Sequence, residues 1–419
     1  MWYYLLKYSG ISVVLSIEAP APAHHMIICT TINPVVCHVQ LCFTDMKGEM
    51  AMPKKQLILV GTYTQVIKSG TELIMNGKGK GIYSFFLDME TGILEGERLS
   101  SEAVNPSFLT LNTALNHLYV VNELKEYEGQ ASGALSAFSF DPHSREVKLL
   151  NVRATGGTDP CHVVLNRGNT HVFVSNYSSG SVCVFPLAED GSIGGKPQLI
   201  QHEGSGANEA RQGGPHAHSL TFDLSGRFAF AADLGIDRLM AYQTDASGTL
   251  TPAPVPCYQT EPGAGPRCCT FHPGGKYIYL INELGSTVSA LAYNGTDGSC
   301  RRLQTVSAIP ADFSGDNLCA DIQIQPDGRF LYGSNRGHNS IVIYRIDPGT
   351  GLLSLLGFQS SGGEIPRSFC VDPTGTFLLA ANQDTDNIVV FRIDSATGTL
   401  KKVSEHAVPT PVCVKAYQV

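Results

Sequence analysis

The residues of this sequence that are best able to do chemistry together lie in three short segments. GGPHAHS contains His218, GPRCCTFHPGGKYIYLINE contains Arg267 and Glu283, and GSNRGHNS contains Arg336. An imidazole titrates near neutral pH and can accept a proton from water. A guanidinium can stabilise an oxygen atom on which negative charge develops during a reaction. The set predicts proton transfer coupled to stabilisation of an oxyanion, provided that the fold brings the segments together.

A repeated unit organises the chain and would position these residues. Each copy contains a strand-like run that ends in Asn or Asp, and the copies recur roughly every 50 residues. The runs end at Asn122, Asn176, Asp233, Asn282, Asn335 and Asn382. Further β-rich runs such as SVCVFPL and IVVFRID follow after polar turns. Four short strands in such a period are typical of one blade of a β-propeller.

The repeat also predicts how many blades there are and how the ring closes. Six copies are complete, and a seventh begins with LILVGTY but lacks the strand that should precede it. The C-terminal run 411–414 (PVCV) resembles the run 106–109 (PSFL) and can supply that strand. We therefore predict an all-β fold over residues 52–419, a seven-bladed β-propeller of four-stranded antiparallel blades closed by the C-terminal strand. Residues 1–51 are interpreted as an extension of unknown structure.

Alignment of the copies on their terminal residue defines two rings of positions. The first ring lies at a fixed distance before each terminal residue and contains Ser107, Cys161, His218, Arg267, Ala320 and Arg367. The second ring directly follows the terminal residue and contains Glu123, Tyr177, Leu234, Glu283, Arg336 and Gln383, with Tyr63 in the first copy. Equivalent positions of a repeat stack in register, so we expect both rings to surround one mouth of the central channel. Residues with a purely structural role should recur from blade to blade, and the changing identity of these positions predicts a site.

Each member of the site also has a structural interpretation. Arg267 and Glu283 would then form only an exposed ion pair at the rim, where such pairs add little stability. His218 would be a hydrogen-bonded core histidine, and Arg336 would be solvated. A metal site formed by His162, His216 and His218 is a weaker alternative, because no carboxylate or cysteine completes the set. We expect neither a metal nor a cofactor.

The composition excludes several classes of protein. A chain of 419 residues that is 43% hydrophobic and 16% charged can bury a large core, so disorder is excluded as its main state. The net charge of −8 offers no broad cationic surface for phosphate backbones, and we expect no nucleic-acid partner. The apolar run Ile11–Ile17 is too short to span a bilayer, and we expect no membrane association.

The 12 cysteines predict a cellular location rather than a site. They include no CxxC pair, and disulfide frameworks are typical of small secreted domains. We interpret them as mostly buried thiols in the reducing cytoplasm. A closed propeller has no sheet edge that requires a partner, so we expect a monomer.

Several segments together carry a family resemblance. A single tryptophan excludes WD repeats, and the paired glycines of kelch repeats do not recur. The chain resembles the seven-bladed lactonase family, which includes propeller-type 6-phosphogluconolactonases and fungal carboxymuconate-lactonising enzymes. The resemblance spans about Gln56 to Gln418 and is carried by the segments LILVGTYT, GGPHAHS, GPRCCTFHPGGKYIYLINE, QPDGRFLYGSNRGHNSI and DPTGTFLLAANQDTDNIVVF.

The resemblance implies that His218, with His216 adjacent, and Arg267, Glu283 and Arg336 are functional residues, in agreement with the repeat register. We expect His218, Arg267 and Glu283 to be catalytic, and the substrate to contact Tyr63, His216, Arg336 and Arg367. Either His218 or Glu283 would take a proton from water while the other orients it, and Arg267 would bind the oxyanion. Arg336 and Arg367 would hold a phosphate or carboxylate group. Whether His216 or His218 acts stays open, although the repeat register favours His218.

Three functions are compatible with this interpretation. The resemblance implies a lactone hydrolase that acts on 6-phosphogluconolactone, or a related sugar lactone or phosphorylated sugar acid, in the pentose phosphate pathway. A muconate-type cycloisomerase, in which paired arginines bind a dicarboxylate, is an alternative. A non-enzymatic binding propeller is another, although protein-binding surfaces usually present aromatic anchors rather than a His, Arg and Glu cluster.

Overall fold

The computed structural model describes residues 2–8, 11–17, 26–33, 36–43, 54–69, 72–245, 247–255 and 258–419. The chain divides into two compact units, Met1–Pro53 and Lys54–Val419. The first unit contains two antiparallel hairpins, one of Trp2–Tyr8 with Ile11–Ile17 and one of Met26–Asn33 with Val36–Phe43. Within these described ranges, no helix is both long and apolar enough to cross a bilayer.

The second unit is a β-propeller, as predicted, with seven antiparallel blades in the described part of the chain. From the axis outwards, the strands of blades 1 to 4 are Pro411–Gln418, Lys55–Thr62, Gly81–Asp88 and Leu94–Glu102; Pro106–Leu111, His117–Asn122, Ala134–Phe140 and Val147–Ala154; Pro160–Leu165, His171–Asn176, Ser181–Pro186 and Gln198–Gln201; and Ala217–Phe222, Phe228–Asp233, Arg238–Thr244 and Leu250–Pro252. Those of blades 5 to 7 are Pro266–Phe271, Tyr277–Asn282, Thr287–Tyr293 and Cys300–Ser307; Leu318–Ile324, Phe330–Arg336, Ser340–Ile346 and Leu353–Ser360; and Pro366–Val371, Phe377–Asn382, Asn387–Ile393 and Leu400–Ala407.

A few short elements lie outside this pattern. Blade 4 has an additional strand, Tyr258–Gln259, which pairs with the start of its third strand. A hairpin of Val66–Ser69 and Glu72–Asn76 precedes the third strand of blade 1. The 3₁₀ helix Leu234–Ile236 follows the second strand of blade 4, and the side chain of Asp233 caps its first turn.

The apolar pattern of the strands explains where the core lies. Second strands such as YIYLIN of blade 5 are buried along their whole length, because both faces pack against neighbouring blades. Outer strands such as CRRLQTVS contain only partly buried and exposed residues, as expected where one face meets water. In the described residues, each of the seven interfaces between adjacent blades contains one cluster of buried apolar side chains. Stability is therefore distributed around the whole ring.

The ring closes in the predicted way. The last strand pairs antiparallel with Lys55–Thr62, and Val414 lies opposite Val60. Gly61 lies at a close approach of blades 1 and 2, since a Cβ atom there would come 2.1 Å from the carbonyl oxygen of Pro106. Strands that are far apart in the chain therefore form one sheet, and the inner edge of Lys55–Thr62 is paired.

Each residue of the first ring is placed by a β-bulge. In six blades the pairing of the innermost strand skips one residue, and the skipped residues are Ser107, Cys161, His218, Arg267, Arg367 and Val412. A bulge leaves its extra residue out of the ladder and changes the direction of the side chain. Blade 6 differs, because its pairing skips both Ala320 and Asp321. The repeated bulge explains why these positions, rather than their neighbours, can carry a variable residue at the axis.

A repeated hydrogen bond ties the second ring to the first. In six blades the amide of the second-ring residue donates to the carbonyl oxygen two residues before the bulge; for Glu283 the acceptor is Gly265, at 2.7 Å. The same bond joins Tyr63 to Thr410, Glu123 to Asn105, Tyr177 to Asp159, Leu234 to His216 and Gln383 to Ile365. Both rings consequently lie at the same end of the channel.

Candidate active site

Two cavities meet at the level of the first ring. The outer cavity, of about 480 Å³, is lined partly by loop residues such as Lys125 and Arg211. The inner cavity, of about 390 Å³, is lined by the innermost strands around the axis. Four residues line both cavities, and we call them the shared layer: Glu123, Cys161, His218 and Arg367. A ligand that spans this layer would reach side chains from four blades.

Glu283 is the centre of a buried cluster of charges. Its Oε2 atom lies 2.7 Å from Arg336 Nη2 and 3.0 Å from Arg267 Nε, although the latter contact lacks hydrogen-bond geometry. Its Oε1 atom accepts a hydrogen bond of 2.8 Å from Arg211 Nη2. The Glu283 side chain is only 5% exposed, and those of Arg267 and Arg336 are 7% and 10% exposed. We call these four residues the Glu283 cluster.

The cluster fixes the charge state of its carboxylate. Burial alone would raise the pKa of Glu283, but Arg336, Arg267 and Arg211 together outweigh it and lower the pKa to about 2. Backbone carbonyls add further restraint, because Arg267 Nη1 donates to Ala320 and Arg336 Nη2 donates to Cys319. The guanidinium groups are therefore held in fixed positions before any ligand arrives.

His218 is a buried, neutral histidine. Its Nδ1 atom lies 3.8 Å from the Cys161 Sγ atom, and the Cys161 thiol donates to the His218 carbonyl oxygen at 3.2 Å. Burial, reinforced by the positive charges of Arg267, Arg367 and Arg336, holds the pKa of His218 well below its usual value. The imidazole can therefore act as a neutral hydrogen-bonding group but resists taking up a proton.

The two histidines of the HAH segment have different surroundings. His218 lines both cavities, whereas His216 stacks on the ring of Tyr177 at a centroid distance of 4.7 Å. His216 Nδ1 also lies 3.0 Å from the Tyr177 carbonyl oxygen, and its amide donates to Asp233. These contacts make His216 a support for Tyr177, which itself lines the outer cavity.

Tyr63, Glu123 and Arg367 form the opposite side of the shared layer. The Tyr63 hydroxyl donates to Glu123 Oε1 at 2.7 Å, and the Arg367 guanidinium carbon lies 5.5 Å from the centroid of the Tyr63 ring. Burial raises the pKa of Glu123, and Arg367 offsets this only in part. Among the arginines that line the two cavities in the described residues, Arg367 alone has no carboxylate within ion-pair distance.

The structure brings most of the predicted residues to one place. His218, Glu283, Arg336 and Arg367 line the outer cavity, while Arg267 lines the inner one. Tyr63 contacts the site through Glu123. The sequence pattern placed Glu123 and Tyr177 in the second ring without assigning them a role. Arg211 was missed because it lies outside the repeat, in the segment 202–216, the longest connection between consecutive blades.

The three-histidine metal alternative finds no support in the geometry. In the part of the chain that the structure describes, no three His, Cys, Asp or Glu side chains are grouped so that they could hold a metal ion. His162 packs its ring against Phe108 at a centroid distance of 4.4 Å, and burial lowers its pKa to about 3.

Comparison with known proteins identifies the family. The family model of the seven-bladed β-propeller lactonases matches residues 57–416 of this chain. A 6-phosphogluconolactonase of Bacillus subtilis is 40% identical over 315 residues, which cover 75% of this chain and 84% of that protein. A 6-phosphogluconolactonase of Formosa agariphila is 37% identical over 297 residues, or 70% of this chain and 82% of that protein. The structure of a periplasmic gluconolactonase of Pseudomonas aeruginosa superposes with a TM-score of 0.78 at 32% identity, covering 87% of this chain and 99% of that one. The chain belongs to the seven-bladed β-propeller lactonase family.

Proposed function

We propose that this protein is a lactone hydrolase that opens 6-phosphogluconolactone or a closely related anionic sugar lactone. The observation that carries the proposal is Arg367, a guanidinium without a carboxylate partner among the described residues, next to the neutral imidazole of His218 in the shared layer. The names of the relatives in Bacillus subtilis and Formosa agariphila support the same substrate.

The arrangement suits attack of water on a lactone carbonyl at the shared layer. Negative charge then develops on the carbonyl oxygen, and fixed donors stabilise it most effectively when no reorganisation is needed. We assign this role to Arg267, as the sequence predicts, with the neutral imidazole of His218 as a further donor. Arg336 was predicted to hold the anionic group of the substrate, but it contacts the same Glu283 oxygen as Arg267, and we therefore propose it as another oxyanion donor. Glu283 holds the guanidinium groups of Arg267 and Arg336 in place, because it pairs with both.

Neither of the two residues predicted to act as the base has surroundings that suit this role. That His218 or Glu283 accepts the proton from water stays a prediction, and the charges around both residues oppose it. Glu283 would have to accept a proton while three guanidinium groups stabilise its charge. His218 would have to become a cation beside Arg267, Arg336 and Arg367.

A direct assay tests the function. 6-Phosphogluconolactone generated enzymatically should disappear faster with the protein than in the uncatalysed background. A chelator should leave the rate unchanged, because the scheme uses no metal. Lactonisation of a muconate-type diacid without hydrolysis of any sugar lactone would contradict the proposal, as would the absence of any rate above background.

Replacement of Arg367 tests how the anionic group is held. Arg367→Met should raise KM for the phosphorylated lactone by about 10- to 100-fold, because each charge-assisted hydrogen bond to phosphate contributes about 1.5–3 kcal/mol. The KM for unphosphorylated gluconolactone should change little. Arg392→Met is the matched control, since Arg392 packs over Phe377 in the same blade, away from both cavities. An equal effect on the two lactones would show that Arg367 does not bind the phosphate.

We also propose that the protein is a monomer of the cytoplasm. Eight cysteines of the unit Lys54–Val419 are free thiols, and six of them are buried, which suits a reducing compartment. A monomer should give a mass near 44.9 kDa by light scattering, whereas a multiple of that mass would contradict the proposal.

A further inference from the structure

We propose that Glu123 is the general base of the reaction, and that its carboxylate takes the proton from the attacking water. The inference rests on the proposed function and adds to it a residue for which neither the repeat pattern nor the family resemblance predicted a role.

The outer cavity contains two glutamates whose surroundings are opposite. Glu283 is paired with three guanidinium groups. Glu123 has no such partner in the described residues; its Oε1 atom accepts a hydrogen bond from the Tyr63 hydroxyl. That bond fixes the carboxylate at the shared layer, where it lines both cavities together with His218 and Arg367. A base must be held in place and still be able to accept a proton, and Glu123 meets both conditions.

The surroundings of Glu123 shift its pKa in opposite directions, and the net effect is to raise it. Burial raises its pKa, and Asp159, at the entrance to blade 3, also raises it. Arg367 of blade 7, the hydroxyl of Ser107 in blade 2 and the hydroxyl of Tyr63 in blade 1 lower the pKa in part. The neighbouring Cys161 stays a neutral thiol because burial raises its own pKa well above the usual value. A carboxylate with a raised pKa is a stronger base than an exposed one, and two carboxylates with divergent environments commonly divide the roles of a site.

The chemical step is balanced without any further reactant. The water oxygen bonds to the lactone carbonyl carbon while Glu123 takes one water proton, and the carbonyl electrons move to the oxygen that the guanidinium groups face. Collapse of this intermediate breaks the bond to the ring oxygen. The ring oxygen takes the proton from Glu123, which returns to a carboxylate. One water is consumed, and one hydroxy acid is formed.

Replacement of the carboxylate by an amide of the same shape is the first test. Glu123→Gln should reduce kcat/KM by at least about 100-fold, the usual minimum for loss of a general base, while the circular dichroism spectrum and Tm show a folded protein. Glu126→Gln, in the same connection but exposed, is the matched control and should retain full activity. A Glu123→Gln enzyme that is folded and within a few-fold of the wild type would overturn the proposal.

The pH profile separates a base from a structural residue. The ionised carboxylate is the active form, so wild-type kcat/KM should fall as the pH drops through the raised pKa of Glu123. Tyr63→Phe removes a hydrogen bond that stabilises the charged form and should therefore move this acid limb to higher pH. An acid limb that is unchanged in Tyr63→Phe and still present in Glu123→Gln would assign the titration to another group and overturn the proposal.

Chemical rescue provides a readout that a packing role cannot give. Glu123→Ala leaves space at the shared layer, and formate should restore a measurable part of its activity in proportion to the formate concentration. Formate should not accelerate the wild type or Arg367→Met. Failure of rescue together with an unaltered acid limb would count against the base while leaving lactonase activity intact. A wild-type protein that hydrolyses no lactone would instead refute the proposed function.

Discussion

Glu283→Gln is expected to lower kcat/KM on the order of 1000-fold, although glutamine has nearly the same shape as glutamate. The substitution removes the charge that aligns Arg267 and Arg336, and loss of one preorganised donor alone typically costs about 100- to 1000-fold in rate. Steady-state hydrolysis of 6-phosphogluconolactone measures the effect. A loss of less than about 10-fold would mean that the guanidinium groups are held by other contacts.

The same substitution should also destabilise the fold. Removal of one partner from a buried ion pair costs about 3–5 kcal/mol, because the remaining charges stay buried without compensation. Urea unfolding at pH 7 measures this free energy. Glu261→Gln is the matched control, since it breaks the pair of Glu261 and Arg302, whose side chains are 60% and 50% exposed. We expect the control to change stability by no more than about 1 kcal/mol.

The stabilising effect of Glu283 should depend on pH in a defined direction. Its pKa is lowered from 4.5 to about 2 in the folded state, so its contribution is complete above pH 4.5 and is lost as the pH falls towards 2. A shift of this size corresponds to about 3 kcal/mol. The stability difference between the wild type and Glu283→Gln should therefore shrink between pH 6 and pH 3. A difference that stays constant over this range would contradict the assigned charge state.

Arg267→Met should reduce kcat by about 100- to 1000-fold with a smaller change in KM, as expected for a donor that acts mainly on the oxyanion. Arg267→Lys should have little more activity than Arg267→Met, because an ammonium group cannot contact Glu283 and the Ala320 carbonyl in the way a planar guanidinium does. Rapid measurement of hydrolysis under saturating lactone gives kcat for each variant.

Arg211→Met is the matched control for this second experiment. Arg211 also pairs with Glu283, but its side chain is 37% exposed and it lines only the outer cavity. Its loss should therefore reduce activity by only a few-fold. If the two variants were equally impaired, or if Arg336→Met alone abolished activity, the oxyanion would have to be assigned to the outer cavity and to Arg336.

The fold could be predicted from the sequence because the blades of a propeller share one sequence pattern. The runs that end at Asn122 and Asn382 differ in most residues, yet each keeps a buried strand, a turn and a partly exposed outer strand. The unmatched strand of the first copy and the unmatched run 411–414 could be paired because a closed ring leaves no blade incomplete. The pairing of two strands far apart in the chain was thus predicted by counting the strands in each repeat.

The sequence identified the residues of the two rings, but not the local structure that directs their side chains. Counting along the chain found the positions of His218 and Arg267, but not the β-bulges that direct them to the axis, because a bulge is defined by the pairing of a strand with its neighbour. The count also failed in blade 6, where Ala320 and Asp321 are both skipped.

Charge states could not be predicted from the sequence because they depend on contacts between distant segments. Glu123 and Glu283 occupy the same position of the repeat, and nothing in their neighbouring residues separates them. The difference arises from Arg211 in a connecting segment, Arg336 in blade 6 and Tyr63 in blade 1. The repeat register identifies candidate site residues, whereas the role of each residue depends on the side chains that the fold places beside it.

The pairing of Pro411–Gln418 with Lys55–Thr62 has a consequence for how the protein is made. Lys55–Thr62 is synthesised well before its inner neighbour, because the strands of the other six blades lie between the two in the chain. Until Pro411–Gln418 has also been made, the nascent chain therefore exposes a strand edge that can recruit other polypeptides. A product truncated before Pro411 would be an open ring that is prone to aggregate, rather than a smaller active enzyme.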